Sequence, residues 1–96
     1  MRNILFKGEY KMNFYTCQFL YAVDNNKPDQ VGHLCIIQSD INLLDIKSSQ
    51  LKEQWQIKEL LDENDCEDIR LEEVTIDDVK DDYYDVEVII INKKDL

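Results

Sequence analysis

The sequence predicts an α+β fold: a single small domain with a mostly antiparallel sheet of about four strands and one main helix packed on one face, in ββαββ-like order. Three observations lead there. The chain has 96 residues, 44% of them hydrophobic, which suits one modest core and not two. Its two glycines and single proline fall far below ordinary usage of roughly 7% and 5%, so regular elements should dominate. Finally, the apolar period changes along the chain, from two, to helical, and back to short β-branched runs.

The domain is expected over residues 12–96. Residues 1–11 read as a non-native N-terminal extension or tail. Lys7-Gly8-Glu9 can be encoded with a ribosome-binding core at a workable spacing before the Met12 codon. Translation from Met12 competes with a reading in which Ile4–Phe6 is a genuine short strand.

Phe14 to Val23 reads as a strand. Tyr15, Cys17, Phe19, Tyr21 and Val23 share one face, with Thr16 and Gln18 on the other. Asp24 to Gln30 is a loop built of turn formers around Pro28. Val31 to Gln38 is the second strand, and the short loop predicts an antiparallel hairpin. Ser39 and Asp40 are candidate caps for a turn through Ile41–Leu44.

Ser48 and Ser49 are candidate caps for the main helix, Gln50 to Asn64, whose residues are mostly good helix formers. Leu51, Trp55, Ile57 and Leu61 form its apolar face, and Leu60 falls outside. Acidic residues at Asp62–Asp65 oppose the helix macrodipole, so fraying is expected there. Ile69 to Ile76 is the third strand. Thr75-Ile-Asp-Asp78 resembles a capping box with Asp in place of Glu, so a helical turn over Ile76–Asp82 competes with strand. Val86 to Ile91 is the last strand.

Charge is unevenly spread. Residues 62–87 hold thirteen carboxylates against Arg70 and Lys80, a net −11 in a chain whose total is −10. The rest is close to neutral. Concentrated like charge opposes folding by self-repulsion, and it disfavours direct binding to nucleic acid or anionic lipid. It favours a basic protein surface. No apolar run approaches the roughly twenty residues that span a bilayer. Three cysteines without a C-x-x-C pair suit reduced thiols in a cytoplasmic protein. The richness in Asn, Lys, Ile and Asp hints at an AT-rich bacterial or phage genome.

Chemistry is sparsely marked. Asp62, Asn64, Ile69 and Glu73 match positions one, three, eight and twelve of an EF-hand loop, but Cys66 and Glu67 stand where an oxygen ligand and glycine belong. His33 and Cys35 share a strand face, with Cys17 able to approach from the paired strand; structural zinc needs four ligands. Two glycines leave no phosphate-cradling loop. The expectation is therefore no enzyme, no metal and no cofactor.

The candidate partner-binding residues are Glu72, Glu73, Asp77, Asp78, Asp81, Asp82, Tyr83, Tyr84, Asp85 and Glu87. If extended, their alternate carboxylates stand about 6.6–6.8 Å apart, close to the phosphate spacing of a nucleic-acid strand. The sequence thus points to a small acidic interaction protein, with phage or mobile-element origin as the expectation, docking this block on a basic partner surface as an inhibitor or nucleic-acid mimic. The alternative is an assembly module that forms a homodimer, with acidity serving solubility alone.

Overall fold

In the computed structural model, residues 12–22 and 30–96 are described. The region before Met12, Val23 and most of the Asp24–Gln30 loop lie outside the described residues, and so do the expectations that concern them.

Alternation in the first two strands builds the centre of the sheet. β1 (Asn13–Tyr21) and β2 (Val31–Ser39) pair antiparallel, with Tyr15 opposite Ile37, Cys17 opposite Cys35 and Phe19 opposite His33. β3 (Cys66–Val74) pairs antiparallel with the other side of β1, Tyr15 lying opposite Glu73 and Phe19 opposite Ile69. β4 (Val88–Ile90) joins β2 in parallel, giving a four-stranded mixed sheet in the order β3-β1-β2-β4.

The connections and the strand bounds both correct the expected topology. Parallel pairing needs a crossover of about a dozen residues. Residues 75–87, between β3 and β4, provide it and form a further helix, α3 (Ile76–Asp82). The last strand is also shorter than Val86–Ile91. The third begins at Cys66, earlier than expected, and stops at Val74, because Thr75 already caps α3.

The single helix over 50–64 is instead two, α1 (Ser48–Glu53) and α2 (Trp55–Glu63). Gln54 separates them in an extended conformation. Its buried side chain accepts hydrogen bonds from the backbone N–H groups of Gln56 and Ile57, at 2.9 and 3.2 Å, and so caps α2. The break turns Trp55 outward, 68% exposed, while Leu51, Ile57 and Leu61 stay buried. Leu60, expected outside the apolar face, packs against the core. The caps differ too. Lys47 precedes α1 without a side-chain bond, and Asn42 caps the 3-10 turn Leu43–Asp45. Ser39 and Asp40 serve nearby: Ser39 Oγ accepts from the Ile41 N–H, and Asp40 Oδ1 accepts from the Lys93 N–H.

The core lies between the sheet and the α1–α2 layer. Tyr15, Cys17, Phe19, Cys35, Ile37 and Ile89 from the strands meet Leu43, Leu51, Ile57 and Leu61. Tyr15 also fastens the turn. Its hydroxyl accepts from the Leu43 N–H at 3.0 Å and donates to Asn42 Oδ1 at 3.2 Å. At the far end of β1, register shifts accommodate Gly32. A Cβ there would lie 2.7 Å from Cys66 Sγ and 2.9 Å from the Tyr21 ring, so only glycine fits without displacement.

Candidate functional site

The acidic block is divided by the fold. Glu72 and Glu73 stand at the end of β3 and, as consecutive strand residues, point to opposite faces. The Glu72 carbonyl accepts from the Thr16 hydroxyl at 3.4 Å. Glu73 lies across from Tyr15 and lines a shallow groove with Phe14, Val74 and Ile76. Burial pushes the Tyr15 phenol above its ordinary value, and the charges of Glu73 and Asp45 add to the effect against the bond from Leu43.

Asp77, Asp78, Asp81 and Asp82 all fall on α3, which contributes no buried residue. The capping box reads true. Thr75 Oγ1 accepts from the Asp78 N–H at 3.0 Å, and Asp78 Oδ2 accepts from the Thr75 N–H at 3.1 Å. Asp78 is thus committed to holding the helix, while Asp77, Asp81 and Asp82 are exposed. Two of these sit in the last turn, where negative charge opposes the macrodipole. Tyr83 ends the helix half-buried. Tyr84 is 78% exposed beside the exposed Asp85.

Glu87 is separated from this group. It precedes β4 at the opposite sheet edge from Glu72 and Glu73, and its carbonyl accepts from the Ile36 N–H at 2.8 Å. Its carboxylate lies 3.8 Å from His33 Nε2, a buried nitrogen with no hydrogen-bond partner. The structure therefore gathers Asp77, Asp81, Asp82, Tyr84 and Asp85 along α3 and the turn after it. It places Glu72, Glu73 and Glu87 elsewhere.

The other constellations resolve into packing. The span Asp62–Glu73 is the end of α2 followed by β3, so it forms no calcium loop. α2 continues through Glu63 despite its acidic end, and Asp65 takes a left-handed φ of 56° in the tight turn into β3. Cys17 and Cys35 face each other fully buried as free thiols. Hydrogen bonding with Cys35, then burial, pushes the Cys17 thiol far up, and burial raises Cys66 as well. Thiols held protonated in this way are poor nucleophiles and poor metal ligands. Among the described residues no group of three or more His, Cys, Asp or Glu is placed to hold a metal ion. Nor is any described helix long and apolar enough to cross a membrane.

One arrangement escaped sequence reasoning. Trp55, Glu59, Leu60 and Glu63 of α2 meet Glu87 and Ile89 across a groove of about 250 Å³. The i, i+4, i+8 spacing of Trp55, Glu59 and Glu63 was visible, but the approach of β4 to that side of α2 was not. No family model matches the chain, and no curated protein or solved structure is significantly similar to it.

Proposed function

We propose that this chain is a small, non-enzymatic cytoplasmic protein that docks on a basic surface of a partner protein through α3 and the turn after it. An inhibitor or nucleic-acid mimic of phage or mobile-element origin is the specific form proposed. What supports the reading is the way α3 is built. It is closed by a full capping box, it gives the core nothing, and it carries Asp77, Asp81 and Asp82 outward, with Tyr84 and Asp85 following. A short helix with like charges at i,i+4 is self-repelling by roughly 0.2–0.5 kcal/mol per pair. A basic partner would relieve that repulsion, and an exposed tyrosine supplies the flat apolar area common at interface hot spots.

Complementary charge of this kind mainly speeds association and makes it salt-sensitive. The test is affinity capture from the native host at low and high salt. The expected outcome is a basic protein enriched at low salt, reduced at high salt, and lost when Asp77, Asp81 and Asp82 are reversed to Lys. Asp78 is left intact because its carboxylate caps the helix. Capture indifferent to the reversal would defeat the reading.

A further inference from the structure

We infer that the groove between α2 and β4 is a second docking site, which takes a basic amphipathic peptide segment of a partner. The inference goes beyond the reading above: no residue of α3 or of the turn after it lines the groove, and Glu87, which does, lies apart from α3.

The helix break at Gln54 shapes the groove. It leaves the indole of Trp55 68% exposed at the first position of α2, although so large an apolar side chain ordinarily gains most by burial. Below it, half-buried Leu60 and buried Ile89 form an apolar floor. Around it stand Glu59, Glu63 and Glu87, and among the described residues no Lys or Arg lines the groove. Glu59 and Glu63 are themselves a like-charge i,i+4 pair, which a bound cation would relieve.

The chemistry of the occupant follows. A guanidinium or ammonium group can lie over the indole face and meet carboxylates at its rim, gaining cation–π and charge-assisted contacts together. An apolar neighbour on the same peptide fills the floor over Leu60 and Ile89. The volume, about 250 Å³, is below the roughly 300–1,000 Å³ of small-molecule sites, so it suits one or two side chains and not a cofactor. A second copy of this chain is disfavoured there, because each copy carries a net charge of −10.

Trp55 is the only tryptophan, so its emission reports on the groove directly. The probe is a short synthetic peptide of Leu, Ala and Arg in amphipathic helical order, titrated into the full chain. A saturable blue shift is expected, with none from the same peptide carrying Glu in place of Arg. With a labelled peptide read by anisotropy, Glu59→Lys with Glu63→Lys, and separately Trp55→Ala, should each weaken binding about tenfold or more. All three residues are exposed, so these variants keep the fold; Glu59→Gln with Glu63→Gln should weaken it less. At physiological ionic strength or above, where long-range charge is screened, reversing Asp77, Asp81 and Asp82 should leave peptide affinity within about twofold, since none of them lines the groove. An unshifted emission, or equal binding of the Glu peptide, overturns the inference. Weakening by the α3 reversal but not by the groove reversal overturns it while leaving the α3 reading intact. An emission change that follows protein concentration without peptide overturns it in favour of self-association.

Discussion

Tyr15 shows how much one side chain can organise here. It occupies a central strand, is fully buried, and spends its hydroxyl on the Leu43 amide and the Asn42 side chain. That group ties the 3-10 turn to the sheet, beside the bond from the Asn13 side chain to the Ile41 carbonyl. Tyr15→Phe keeps the ring and orphans a buried N–H, which costs about 1–3 kcal/mol. Urea denaturation should show a lower midpoint with an unchanged slope; an unmoved midpoint would mean that the hydroxyl tethers nothing. The ring was legible in the sequence, because Tyr15, Cys17 and Phe19 alternate with the polar Thr16 and Gln18. Its hydroxyl partners were not, since they arrive from a turn some 28 residues away in sequence.

At the scale of elements, local chemistry was readable and tertiary choice was not. The Thr75–Asp78 box named both the start of α3 and its competition with β3, and the helix won because both reciprocal bonds form. Thr75→Ala should cost about 1 kcal/mol, felt locally because α3 buries nothing. Native-state amide exchange is the measure. The Val79 amide, which bonds the Thr75 carbonyl, should exchange several-fold faster, while amides in β1 keep their protection. Equal acceleration throughout would show that α3 is integral to global stability. The break between α1 and α2 had no such signature. Gln54 is a good helix former by propensity, and only its burial turns its amide oxygen into a cap for α2. Misjudging that residue misplaced Trp55, and with it the groove on α2. The parallel placement of β4 was equally hidden, since Val88–Ile90 would read the same beside any strand.

For the molecule as a whole, the buried ionisable groups set a pH limit that the acidic surface does not. Tyr15, Cys17 and Cys66 each hold their proton more tightly when folded than their ordinary values of 10.0 for tyrosine and 9.0 for cysteine. At high pH the unfolded chain therefore binds fewer protons than the folded one, and stability falls as pH rises. The contribution is fully present below the unfolded values and is lost as the pH climbs past about 9. Under reducing conditions, the urea midpoint should hold steady from pH 7 to 8.5 and decline progressively to pH 10.5. A flat profile across that range would contradict the protonated burial of these groups.

The sheet order carries a consequence for what can be removed. β1 is the strand that both β2 and β3 clasp, so two of the three ladders belong to it. A polypeptide begun at Met12 would still hold every residue of the four described strands, because β1 opens at Asn13. Trimming a few positions further in, past Tyr15, would strip the tether to Leu43 and leave β3 with part of a single neighbour. The described sheet thus opens one residue after Met12, and the tether that Tyr15 carries lies only two residues further in.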